Sequence, residues 1–205
     1  MIRSTEPFES ILQTMKEAAA ALKQAGVPFV LGGGLACWAR GGPPTDHDVD
    51  FLLRPEHADA GLDALEQAGM ETERPPEHWL FKAHDDGTLV DLIFEPSGLR
   101  VDDAMFERAE ELEVHAVRMQ VASLDDVVTT KLMALSEQNL DYRPVLEIAR
   151  TLREQIDWVW VRDRTQGSAY AKAFFTLVEE LGIVERESYP SRTASVSRIR
   201  GSRMP

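Results

Sequence analysis

Thr45-Asp46-His47-Asp48-Val49-Asp50-Phe51-Leu52-Leu53 is the stretch whose reading decides the fold. From Val49 onward it is apolar except for Asp50, and it has the branched and aromatic content of a buried strand. Alternate side chains of a strand share a face, so Asp48 and Asp50 project together while Val49 and Phe51 turn to the core. Two carboxylates side by side repel each other and cost stability unless a cation lies between them. A calcium loop on Asp46, Asp48 and Asp50 would need glycine and glutamate where the chain has Phe51 and His57. A solvated acidic turn is the other structural reading, and the apolar run Phe51-Leu52-Leu53 argues against it.

A further carboxylate, Asp91, lies inside Leu89-Val90-Asp91-Leu92-Ile93-Phe94, an otherwise apolar strand where an unpaired charge is expensive. Beside Asp48 and Asp50 it would complete a three-carboxylate cluster for two magnesium ions. Phosphoryl-type transfer asks for such a cluster, with one metal lowering the pKa of an attacking hydroxyl and the other holding a leaving pyrophosphate. Upstream, the apolar run from Val27 to Leu31 reads as a strand, Gly32-Gly33-Gly34 as a turn, and Leu35 to Arg40 as a short helix. Gly33 and Gly34 allow the backbone close to a phosphate, and the helix that follows offers free N–H groups.

Gly33-Gly34, Asp48-Val49-Asp50 and Asp91 in a strand of its own together resemble the DNA polymerase beta-like nucleotidyltransferase superfamily. Its pattern is a G-[GS] turn, a D-x-D and a distant third carboxylate. Within it, Gly33-Gly34-Leu35-Ala36 and Thr45-x-x-Asp48-Val49-Asp50-Phe51 look most like the AbiEii/AbiGii-type toxin nucleotidyltransferases, and antibiotic-modifying nucleotidyltransferases are also similar. The resemblance covers residues 30–94 and departs from the commonest pattern at Gly34, which is often serine. It implies a small mixed sheet with flanking helices, two magnesium ions on Asp48, Asp50 and Asp91, and an NTP donor. The donor's NMP would pass to an acceptor hydroxyl, either on tRNA, with a cognate antitoxin holding the enzyme in check, or on a small molecule such as an antibiotic. A catalytically inactive nucleotide- or protein-binding module is the non-enzymatic alternative.

Basic residues are weighed as triphosphate ligands. Lys131 falls on the apolar stripe Leu124, Val127, Val128, Leu132 and Leu135, where a lysine either snorkels to the surface or enters a polar cleft. Similar family members carry a basic residue on the corresponding helix. Lys82 and Arg40 are weaker candidates, and His47 is read as a loop histidine more readily than a ligand. Cys37 reads as core, and Trp158 and Trp160 as core or interface.

The period changes near residue 123. An α/β catalytic core is expected over 1–122, with helices 6–25 and 55–69, strands at 78–83 and 89–94 around an Asp85-Asp86-Gly87 turn, and a weaker strand pair at 112–116 and 118–122. A helical part is expected over 123–187, with helices at 124–137, 142–154 and 168–181, the first opened by a Ser123/Asp126 capping box. Residues 188–205 form a basic, Ser-rich tail, expected to be a flexible end or an arm for RNA or an acidic partner.

The chain has 205 residues and a net charge of −13, which points away from a general nucleic-acid binder. A lone cysteine excludes an internal disulfide. No apolar run reaches membrane-spanning length and the first residues lack a secretory layout, so the cytoplasm is the expected compartment.

Overall fold

The structure is a computed structural model that describes residues 5–45, 48–96 and 99–185. The expectations for Asp46, His47 and the basic tail lie outside these residues. The chain order is α1 (Thr5–Gln24), β1 (Val30–Leu31), α2 (Gly33–Ala39), β2 (Val49–Leu52), α3 (Ala58–Gln67), β3 (Glu71–Glu73), β4 (Leu80–Asp85), β5 (Thr88–Ile93) and α4 (Asp103–Arg108). It continues with β6 (Glu110–Val114), β7 (Val117–Val121), α5 (Leu124–Met133), α6 (Arg143–Leu152), α7 (Trp158–Thr165) and α8 (Ala169–Glu180).

The strands form a seven-stranded sheet in the order β3-β4-β5-β2-β1-β7-β6. It is mixed: β2 runs parallel to β5 and β1 parallel to β7, while the other neighbours are antiparallel. This is the α/β architecture with flanking helices that the carboxylate-bearing strands imply.

One face of the sheet is sealed by helices. The α1 stripe of Ile11, Leu12, Met15, Ala18, Ala19 and Leu22 is buried, as are Val49, Phe51, Val90 and Leu92 beneath it. Gly61 of α3 comes so close that a Cβ there would lie 2.6 Å from Leu53 Cδ2 and 3.4 Å from Leu92 Cδ1. Phe29 meets Phe51 edge-on at 5.0 Å, closing the end of this layer. The alternate residues Leu89, Asp50 and Ile93 are only half-buried, so the opposite face of β2 and β5 is the more open one.

Two local signals act as expected. Asp86 and Gly87 take positive φ of 44° and 85°, and Asp85 pairs with Thr88 across them, a two-residue hairpin turn. At the start of α5, Ser123 Oγ accepts from the Asp126 N–H at 3.1 Å.

Three elements were not expected. β3 is a charged three-residue edge strand with no apolar alternation to betray it. The six-residue α4 depends on Asp102, whose carboxylate accepts from Met105 N. α7 carries aromatic and charged residues without an apolar stripe and is held by the Asp157 cap and by Trp158, which meets Phe175 edge-on. The helix expected over 55–69 instead opens with a 3-10 turn at Pro55–His57.

Replacing Gly61 by valine should destabilise the fold by about 1–3 kcal/mol through overpacking against Leu53. Urea unfolding checks this, and an unchanged midpoint would show that α3 is not seated as described.

Candidate active site

The sheet register assembles the site. Asp50 stands opposite Asp91 on the parallel pair β2 and β5, and Asp91 stands opposite Lys82 on β4. Lys82 in turn faces Glu73 on β3. Residues paired this way project from the same side of a sheet. The rung Asp50–Asp91–Lys82–Glu73 therefore sets two carboxylates together and a lysine between the second and a third. Lys82 Nζ donates to Asp91 Oδ1 at 3.2 Å.

Asp91 is 8% exposed. Burial raises its carboxyl above the usual carboxylate range; Lys82 pulls it back down, and the negative charge of Asp48 pushes it up again. Asp48 therefore lies within electrostatic reach of Asp91.

The glycine turn is laid against Asp50. Gly32 N–H donates to the Asp50 carbonyl at 2.8 Å. Gly33 has φ of +54°, and a Cβ there would fall 1.6 Å from Asp50 Oδ2. Neither the backbone conformation nor the space admits a side chain. A Cβ on Gly34 would lie 2.7 Å from Thr45 Oγ1, so the serine common at that position would force Thr45 to move. Thr45 was quoted in the motif, but sequence reasoning assigned it no role.

Among the described residues, no three His, Cys, Asp or Glu side chains stand close enough to cage an ion in this conformation. The donor set, being all carboxylate oxygen, nonetheless suits a hard divalent cation. Asp91 is paired with Lys82, the neighbouring positive charge.

The basic residues separate. Lys131 is half-buried on α5, which packs against α2, and makes no hydrogen bond or ion pair among the described residues. Its charge, with those of Arg40 and Asp50, acts on the buried thiol of Cys37, whose pKa burial pushes up to about 11. Lys131 thus lies within electrostatic reach of Cys37 on α2. Arg40 is placed differently from the expectation. Its Nε donates to the Ala122 carbonyl, one Nη to the Val121 carbonyl and the other to Glu110, fastening α2 to the β6–β7 edge. Lys82, also weighed for the phosphates, is held by Asp91.

A family model described as "Nucleotidyl transferase of unknown function (DUF2204)" matches residues 11–167. Among solved structures, the chain is similar to the antibiotic-resistance factor ANT(2″)-Ia in solution, with a TM-score of 0.60, 13% identity, and coverage of 85% of this chain and 97% of that one. A crystal structure of ANT(2″)-Ia in complex with adenylyl-2″-tobramycin gives a TM-score of 0.52, 14% identity, and coverage of 84% and 98%. A Thermotoga maritima protein described as a nucleotidyltransferase gives a TM-score of 0.51, 20% identity, and coverage of 75% and 94%. At these identities the likeness is one of fold. None of the curated proteins matches the chain.

Replacing Gly33 by alanine should destabilise the protein by about 1–2 kcal/mol from the left-handed backbone alone and should also displace the Asp50 carboxylate. Denaturant titration reads the first effect, and a wild-type midpoint would contradict the geometry. At pH 8 the Cys37 thiol should react with a thiol-specific chromogen only on unfolding, because its neutral form is held by burial; rapid reaction of the folded protein would show α2 to be loosely packed.

Proposed function

The chain belongs to the nucleotidyl transferase family of unknown function, and from that premise we propose that it moves an NMP from an NTP to a hydroxyl of a small-molecule acceptor at the Asp48/Asp50/Asp91 face. The observation that carries this reading is the in-register pair Asp50 and Asp91 with the Gly33 backbone pressed against the Asp50 carboxylate. Two carboxylates set in register, one of them buried, beside a turn that tolerates no side chain are costly for a structural purpose alone.

In this reading Asp48, Asp50 and Asp91 hold divalent metal, with magnesium the expected ion. When bound, it supplies charge neutralisation and Lewis acidity at the reacting phosphate. The chain's own groups do the rest. The Gly33-Gly34 backbone approaches the triphosphate closely, and Lys131 balances the charge that builds on the departing pyrophosphate. The acceptor oxygen attacks the α-phosphorus, the bond to the bridging oxygen breaks, and pyrophosphate leaves with that electron pair. Asp91, made more basic by its burial, takes the acceptor proton. Lys82 keeps Asp91 oriented in the rung before substrate arrives.

For the acceptor, the net charge of −13 disfavours a phosphate backbone and attracts a cationic small molecule. The fold shared with ANT(2″)-Ia, seen with an adenylylated antibiotic, supports the same class. A toxin acting on tRNA, checked by an antitoxin, is the reading that the motif wording favours.

The test is magnesium-dependent transfer of label from α-labelled NTPs to aminoglycosides or to bulk tRNA. Label is expected on a small molecule, and the Asp50→Asn variant should lose roughly 10³-fold or more of the rate, the scale of removing a principal electrostatic stabiliser. Label on tRNA would establish the other acceptor class. Near-normal turnover by Asp50→Asn would refute the site.

A further inference from the structure

Lys82 stands between two carboxylates, directly opposite Asp91 of β5 on one side and Glu73 of β3 on the other. We infer that Lys82 is a displaceable counter-ion, which occupies Asp91 until a divalent cation claims that carboxylate and then passes to Glu73. The inference rests on the reading of Asp91 as a metal ligand and adds two residues outside the ligand set. Lys82 and Glu73 together determine how much divalent metal the site demands, each as a positioning residue acting through Asp91.

The first argument is the form of the ion pair. Lys82 Nζ donates to a single oxygen of Asp91, at 3.2 Å, longer than the roughly 2.7–2.9 Å usual between a charged nitrogen and a carboxylate. The same fold builds a firm pair elsewhere, where Arg108 Nε and one Nη donate to both oxygens of Asp126 at 2.9 and 2.7 Å. A guanidinium fork is suited to a fixed partner, whereas an ammonium is a point charge on a flexible stem. A long, single contact of that kind is easily given up.

The second argument is competition for one carboxylate. The Asp91 side chain is 12% exposed and that of Lys82 28%, so water screens the contact only in part. A divalent ion on either oxygen of Asp91 would lie close to the ammonium, and two cations so placed repel strongly. The doubly charged ion is the stronger partner of a carboxylate, so the lysine is the one to leave.

Glu73 supplies the place for it. Directly opposed residues of an antiparallel pair have Cβ atoms about 4.5–5.5 Å apart, within reach of a lysine stem with no backbone movement. The Glu73 side chain is 57% exposed and meets His84 Nε2 at 3.9 Å, the outer limit of an ion pair, so its oxygens are open to an ammonium. Lys82 can therefore exchange one anion for another without its charge being stranded.

The test is Mn²⁺ titration of the full chain without nucleotide, followed by the electron paramagnetic resonance of the free ion, with circular dichroism to verify that each variant is folded. Lys82→Met should raise the affinity about tenfold, the scale of one hydrogen bond to a charged group. Glu73→Gln should lower it severalfold in the wild-type background and leave it unchanged in the Lys82→Met background, because Glu73 acts only through Lys82. Arg74→Gln is the control for charge alone: it removes a cation next to Glu73 whose guanidinium lies on Asp59 and the Phe81 ring, and it should not change the affinity. Equal gains in Lys82→Met and Arg74→Gln, or an equal loss from Glu73→Gln with and without Lys82, would each overturn the proposal. Unchanged or weaker binding by Lys82→Met would also overturn it, while loss of binding in Asp50→Asn would leave the carboxylate site standing. Absence of Mn²⁺ binding at millimolar metal in the wild type and in Lys82→Met alike would overturn both.

Discussion

Like-charge adjacency inside a sheet is the constraint on which the site depends. A parallel register sets the half-buried Asp50 beside Asp91, which is 8% exposed, and burial alone already drives Asp91 toward its neutral form. The fold meets this cost with neighbours. Lys82 is drawn onto Asp91 by the antiparallel hairpin, and the Gly32–Gly33 backbone is folded against Asp50 so that no side chain intrudes. The helices α1 and α3 seal the opposite face and leave the charged one open. A sheet with helices on both faces at this point would bury the pair with no route for a counter-ion.

Much of this was legible before the coordinates. Val49, Phe51, Val90 and Leu92 alternate with the aspartates, so strand period alone turned the carboxylates to one face. The Asp86-Gly87 turn was also readable, and it carried more than was drawn from it: a two-residue turn pairs Asp85 with Thr88, and counting back along the hairpin pairs Lys82 with Asp91. The same counting sets Lys82 beside a carboxylate. Arg40 was beyond such counting. Its carbonyl partners are on β7, across the sheet, and only the tertiary path brings them to the end of α2. The polar edge strand β3 and the short helices α4 and α7 also escaped notice, because caps and neighbours stabilise them and no apolar pattern marks them.

Helix α5 carries charge on two sides: Asp126 holds the Arg108 guanidinium of α4, whereas Lys131 lies toward α2 and the buried Cys37. Fold likeness to an antibiotic-resistance factor shows the scaffold, and chemistry follows from the residues mounted on it.

Because the account rests on Asp50 and Asp91 acting as one carboxylate unit, Mn²⁺ binding is the most direct test. Titration followed by the electron paramagnetic resonance of free Mn²⁺, with a non-hydrolysable ATP analogue present, should show saturable binding that Asp50→Asn and Asp91→Asn each abolish while the variants remain folded. Binding of undiminished affinity in both variants would contradict the claim, because the cation and nucleotide would then be held somewhere other than this rung of the sheet.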